Sequence, residues 1–267
     1  MSTRTLEAQN GDVRLAYESR GQGAAVLLVH GLGYDRAGWG PLPDLLADDY
    51  RVVLFDNRGV GKSDVPEGPY SVSQLAEDAV AVLDAVGVDR AHVFGVSLGG
   101  YVAQELALTH PERVDKLVLG STAPGGSRSY PMPQRGLDAF GRFPTMERNE
   151  GLRLMVENSL GDHGVRERPE LVEEIYAYRL EHAPPLSGWQ AQAYSGATFD
   201  AFDRLSAIRA PTLIVQGAAD NVVDPRNAEL LADRIPNARV ELFTDRGHLL
   251  VWEEGERIAQ VVKEFLR

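Results

Sequence analysis

Gly95-Val96-Ser97-Leu98-Gly99 sets a serine between two glycines, each two residues away. The pentapeptide joins an apolar run, residues 92–96, to a helix-like segment that starts at Leu98. A serine used only for packing has no need of that spacing. A nucleophilic serine does: a sharp strand-to-helix turn lifts the hydroxyl clear of a sheet, where side chains two positions before and after would collide, and glycines remove the collision. The helix N-terminus beside it adds free N–H groups and positive potential. The pentapeptide alone is common, and an incidental serine in a glycine-rich turn is the plain alternative. Its place between strand and helix selects the catalytic reading.

A serine nucleophile requires a base, normally histidine, and an acid that orients the base. Of the six histidines, only His248 lies beyond the last two predicted strands. Strands of a parallel sheet all end on one side, so the loop bearing His248 can meet the loop bearing Ser97. The others have ordinary placements: His92 opens a strand, His110 ends a helix, His163 and His182 fall in predicted loops, and His30 belongs to a glycine turn. The loop after the penultimate strand offers Asp220 and Asp224. Asp224 precedes Pro225 as a helix N-cap, with proline at the first helical position. Asp220 has no such task and is read as the acid. Asp245 stands too close in sequence to His248 to reach its ring from the far side. His30-Gly31 ends another buried run. The backbone N–H groups of Leu32 and Leu98 are the expected donors to an oxyanion. Trp39, just beyond, is read as a substrate contact.

These groups need a frame that gathers loops on one side. "AAVLLVHG", "YRVVLFDNRG", "AHVFGVS", "VDKLVLGST", "APTLIVQG" and "ARVELFTD" are short apolar runs without alternation, as in strands buried on both faces. Asn10-Gly11 suits a tight turn between two earlier strands. Helical stretches lie between the runs. One has Ser71 and Gln74 in capping-box spacing and Gly87 at its end. Another closes the chain with Ile258, Val261, Val262 and Phe265 on one side. Strand–helix alternation predicts a mostly parallel α/β sheet flanked by helices. Residues 123–207 break the pattern: three helix-like stretches, no convincing strand, and Gly/Pro-rich interruptions read as a helical insertion. Phe140, Phe143, Trp189, Tyr194 and Phe199 populate it, as packing or as pocket. No internal repeat is visible.

The chain has 267 residues, 43% hydrophobic and 25% charged, with net charge −12 and no cysteine. An acidic surface repels phosphate backbones and anionic headgroups, so neither nucleic acid nor a membrane surface is an expected partner. Without cysteine there are no disulfides, thiolate metal sites or cysteine nucleophiles. The polar first residues lack a signal-peptide core and no run is long enough to span a membrane, so the expected compartment is the cytoplasm. Oligomeric state is left open.

In the order "HGLG", "DNRGVGKSD", "GVSLGG", "GAAD" and "GH", the chain resembles the α/β-hydrolase superfamily over nearly its whole length. Within it, the stretch from residue 95 onward looks most like small serine esterases, 3-oxoadipate enol-lactonases and cofactor-free haloperoxidase-type members. The resemblance implies an α/β-hydrolase core at 1–122 and 208–267, and a helical cap at 123–207 over the active site. It implies structural roles for Asp56 and Arg58. Dehalogenases and epoxide hydrolases of the superfamily use aspartate where this chain has Ser97. The implied chemistry is hydrolysis of a small, apolar ester or lactone through an acyl-enzyme, with neither metal nor organic cofactor. Two other readings are carbon–carbon hydrolysis of a ring-cleavage product with the same triad, and a ligand-sensing or inactive scaffold. Enol-lactonases bind a carboxylated substrate. Arg135, Arg142, Arg148 and Arg153 of the insertion are read here as a solvated helix face.

Overall fold

The computed structural model describes residues 5–267, so positions 1–4 of the expected core segment lie outside the described residues. One sheet contains β1 (Leu6–Asn10), β2 (Val13–Arg20), β3 (Ala25–Val29), β4 (Arg51–Phe55), β5 (Ala91–Val96), β6 (Val114–Gly120), β7 (Thr212–Gly217) and β8 (Ala238–Phe243). The order across it is β1-β2-β4-β3-β5-β6-β7-β8. β2 pairs antiparallel with β1 and β4, and every other pairing is parallel. The first two strands meet at Asn10 and Val13 across a turn in which Gly11 has φ 60°.

The helices are α1 (Leu42–Ala47), α2 (Val72–Val86), α3 (Leu98–Thr109), α4 (Gln134–Arg142), α5 (Arg148–Glu167), α6 (Pro169–Glu181), α7 (Leu186–Thr198), α8 (Arg226–Arg234), α9 (Leu250–Glu253) and α10 (Gly255–Leu266). Successive residues of a strand point to opposite faces. Leu27, Val29 and Val53 therefore pack with Leu75, Leu83 and Leu106 of α2 and α3, and with Leu231 of α8. Val26, Leu28 and Val52 pack with Leu42 and Leu46 of α1, and with Ile258 and Val262 of α10. Helices cover both faces, which explains the unalternating apolar runs.

Local signals act as their chemistry requires. Ser71 Oγ accepts the Gln74 N–H and Gln74 Oε1 accepts the Ser71 N–H, and Gly87 ends α2 at φ 72°. Asp56 accepts the N–H groups of Arg36 and Lys62, each at 2.8 Å, and pairs with the Arg36 guanidinium. Arg58 donates twice to Asp78, both at 2.6 Å, tying its loop to α2. Helix α8 starts at Arg226, one residue later than expected, and Asp224 Oδ1 accepts the Arg226 N–H at 3.0 Å.

Between β6 and β7 the described residues form α4 to α7 and no strand, apart from an isolated bridge between Gly125 and Asp200. This insertion has its own apolar cluster, Val156, Leu160, Leu171, Val172 and Ile175, joined by Leu249 from beyond β8. His163, expected in a loop, lies in α5. The span Arg148–Glu167 is two helical segments that meet at Gly161, whose φ 69° and ψ 176° are not helical; His163 lies in the second segment.

Candidate active site

β5 delivers Ser97 to the start of α3 at φ 54° and ψ −120°, a positive φ that side chains other than glycine rarely adopt. The flanking glycines are needed for the predicted reason. A Cβ on Gly95 would sit 2.1 Å from the Gly99 carbonyl oxygen, and one on Gly99 would sit 2.0 Å from that of Val29. The turn is held by its backbone: Ser97 N–H donates to Gly120 O at 2.9 Å, and Ser97 O accepts from Gly100 N–H at 2.9 Å and Thr122 Oγ1 at 2.8 Å.

The loops after β7 and β8 bring Asp220 and His248 together, with His248 Nδ1–H donating to Asp220 Oδ2 at 2.8 Å. A carboxylate only accepts, so this bond leaves Nε2 as the ring's basic atom in the neutral imidazole. Asp220 is buried. Its Oδ1 accepts the N–H groups of Val222 (2.7 Å) and Val223 (2.9 Å), and its Oδ2 also accepts Gln216 Nε2 at 3.0 Å. His248 N–H donates to Ser159 O of α5 at 2.6 Å, so the insertion also holds the histidine loop.

Glu253 of α9 secures that loop from the other side. Its Oε1 accepts the Gly247 N–H at 2.9 Å, while Oε2 is buried with no hydrogen-bond partner among the described residues. Burial pushes the Glu253 carboxyl from 4.5 up to about 8, and burial lowers the His30 imidazole from 6.5 to about 4. The two have opposite consequences. Glu253 contributes stability that is present in acid and lost as pH rises toward about 8; His30 contributes stability lost as pH falls from 6.5 toward about 4. Above pH 6.5 only the Glu253 trend remains of these two. Glu253→Gln keeps an acceptor for Gly247 and removes the ionisation. Its melting temperature relative to the parent is expected to climb from about pH 6.5, by ~2 °C or more, and to level off above about 8. Thermal melts across that range check this, and a difference that stays flat with pH would show a Glu253 already ionised in the folded protein at about pH 6.5.

Ser97 and His248 line one cavity of about 660 Å³, between the strand ends and the insertion. The loop after β3 runs hard against the serine: a Cβ on Gly31 would lie 3.0 Å from Ser97 Cβ. Along that loop Gly31 N–H meets His30 Nδ1, Gly33 N–H meets Gln192 Oε1 and Tyr34 N–H meets Gly31 O. Among the described residues Leu32 N–H has no such acceptor. Leu98 N–H, the first of α3, has no intrahelical acceptor either. The Leu98 side chain packs in the core and does not line the cavity.

Trp39 is a correction. It is 0% exposed and does not line the cavity; it packs edge-on against His30 and Phe94, behind the wall. The turn Arg36–Trp39 carries it into the core beneath the loop instead of out along it. Of the aromatics in the insertion, Phe140, Phe143 and Trp189 line the cavity, whereas Tyr194 is exposed and Phe199 joins the core. The arginines also divide. Arg135 pairs with Asp162 and Arg153 with Glu173, but Arg148 lines the cavity without an ion-pair partner among the described residues. Arg179 of α6 does the same, its guanidinium 4.3 Å from the Tyr34 ring centroid. Sequence reading passed over Arg179 and Gln192. They meet a loop more than 140 positions away, and no local spacing marks that contact.

Among the described residues no cluster of three His, Cys, Asp or Glu side chains is placed to hold a metal, and no helix is long and apolar enough to cross a membrane. Residues 24–255 match the model of the alpha/beta hydrolase fold family. A 2-hydroxy-6-oxononadienedioate/2-hydroxy-6-oxononatrienedioate hydrolase of Pseudomonas putida is 36% identical, over 96% of this chain and 92% of its own. A thermophilic esterase from Thermogutta terrifontis superposes with a TM-score of 0.84 at 30% identity, over 99% of this chain and 98% of its own. Est816, described as an N-acyl homoserine lactone degrading enzyme, superposes with a TM-score of 0.85 at 30% identity, over 97% of this chain and 100% of its own.

Proposed function

The chain belongs to the alpha/beta hydrolase fold family, and on that premise we propose that it is a serine hydrolase opening a small ester or lactone through an acyl-enzyme. Ser97 Oγ attacks the carbonyl carbon as His248 Nε2 takes its proton. Asp220 holds the imidazole in the tautomer that leaves Nε2 able to accept, and stabilises the imidazolium. The N–H groups of Leu32 and Leu98 hold the oxyanion. His248 then protonates the leaving alkoxide, and a water activated by the same imidazole hydrolyses the acyl-enzyme. The insertion acts as the cap that walls the acyl pocket. The observation that carries this reading is a serine forced into a positive-φ turn at a cavity it shares with an aspartate-oriented histidine. An inactive scaffold or sensor needs none of that arrangement.

A second reading is carbon–carbon hydrolysis of a ring-cleavage product. The Pseudomonas putida relative carries a name of that kind. Arg148 and Arg179, facing the cavity with no carboxylate partner among the described residues, suit a substrate that brings its own carboxylate. The deciding experiment compares kcat/KM for p-nitrophenyl acetate, butyrate and octanoate and an N-acyl lactone with that for a 2-hydroxy-6-oxodienoate. The ester-and-lactone reading expects the acyl compounds to be the better substrates. A higher kcat/KM on the dienoate overturns it in favour of the second reading, and no turnover of any compound supports a scaffold.

A further inference from the structure

We infer that the insertion completes the oxyanion hole as well as covering it, with Gln192 of α7 as the positioning residue that fixes the loop presenting the Leu32 N–H. This rests on the acyl-transfer reading. The loop has one long bond of its own on the unit that carries the Leu32 N–H, Tyr34 N–H to Gly31 O at 3.3 Å, and a flexible hinge beside it. Gly33 sits at φ 71°, and glycine visits both signs of φ with similar ease, so other conformations are open to it. Both polar groups of Gly33 are bonded to the insertion: its N–H donates to Gln192 Oε1 at 3.0 Å, and its carbonyl accepts Arg179 Nη1 at 2.6 Å. Peptide units are planar. Holding the units on both sides of Gly33 therefore restricts the unit before them, which carries the Leu32 N–H.

Gln192 has no freedom to make this bond differently. It is fully buried, and its Nε2 donates to Arg58 O at 2.8 Å, so Oε1 is the end that faces Gly33. Arg58 is itself locked to Asp78 of α2. The chain of contacts runs from the core, through one amide of the insertion, to the loop beside the serine. Neighbouring contacts agree with this. Asp35 accepts the Tyr178 hydroxyl at 3.0 Å and His182 Nδ1 at 2.7 Å, both from the C-terminal part of the α6 region. A Cβ on Gly33 would lie 2.7 Å from Trp189 Cδ1, so α7 packs directly on the loop.

The test is Gln192→Leu, which keeps volume and removes both amide bonds. On p-nitrophenyl acetate, too small to need the acyl pocket, kcat is expected to fall about 100-fold with KM little changed, the cost of misplacing a group by about 1 Å. Affinity for a boronic acid that mimics the tetrahedral intermediate should fall by a similar factor. A purely structural role does not predict that shared loss at constant KM. Tyr194→Ala, on the exposed side of the same helix, is expected to leave kcat and boronate affinity unchanged. If Gln192→Leu does not fold by thermal melt, Arg179→Met decides instead, by the same paired loss. A folded variant with parental kcat and boronate affinity, or with KM alone raised, overturns the inference while leaving the function intact. A parent enzyme that neither turns over acetate nor binds the boronate overturns the acyl-transfer reading itself.

Discussion

Ser97→Ala is expected to lower kcat on any activated ester about a million-fold, with the melting temperature nearly unchanged. The rate falls because the covalent route disappears with the hydroxyl. What remains is the smaller acceleration that a polarised carbonyl and ordered water can provide. The fold survives because the elbow does not depend on that hydroxyl. Its conformation is held by the bonds of the Ser97 backbone to Gly120, Gly100 and Thr122, and alanine fits the same space. The cavity contains a second serine that makes the assignment testable. Ser121 directly follows β6 at φ 46°, is buried, and lines the same cavity. Peptide mapping after fluorophosphonate labelling is expected to place the adduct on Ser97. An adduct on Ser121, or full labelling of the Ser97→Ala variant, would falsify the nucleophile.

The sequence was most legible where one residue type has one physical use. Gly95 and Gly99 announced a crowded turn because only glycine fits 2 Å from a backbone oxygen. Asp220 and His248 could be chosen because parallel strands place successive loops on one side, which is a property of topology and needs no side-chain detail. Trp39 failed for the opposite reason. An aromatic residue in a loop beside a site has the same local signature whether it turns inward or outward, and the turn Arg36–Trp39 sends it inward. Arg179 and Gln192 were invisible for a further reason. Their role depends on how the insertion packs on a loop from the other end of the chain, and helix periodicity carries no record of the partner. His163 shows how short a glycine interruption can be: Gly161 ends one helical segment at φ 69° and the next begins at once, so His163 sits in a helix and not in a loop.

Asp220→Asn is expected to lower kcat by up to about ten-thousand-fold, and Asp224→Asn to change it little. Asparagine at 220 keeps an oxygen for the N–H groups of Val222 and Val223, so the loop retains its anchor. Its amide N–H then points at His248 Nδ1, which must give up its proton and accept. The ring is left with its proton on Nε2 and has no lone pair there for the serine proton. The same amide also faces Gln216 Nε2. Gln216 Oε1 has no partner among the described residues, so rotation of that side chain amide replaces the donor–donor contact with a hydrogen bond, at the cost of the bond from Nε2 to Gly217 O. The substituted protein can therefore fold with a correctly shaped but wrongly protonated site. Asp224 makes a different set of contacts. It accepts the Arg226 N–H at the start of α8 and binds the Arg226 guanidinium, which holds its carboxyl below the usual range. Asparagine caps a helix about as well as aspartate, whereas Asp224→Ala is expected to cost on the order of 1 kcal/mol of stability with kcat largely kept. The two positions thus give opposite signatures, one in rate and one in melting temperature. Measuring kcat and Tm for Asp220→Asn, Asp224→Asn and Asp224→Ala separates them. A silent Asp220→Asn beside an inactive Asp224→Asn would move the orienting acid to Asp224, against the 2.8 Å contact between Asp220 and His248.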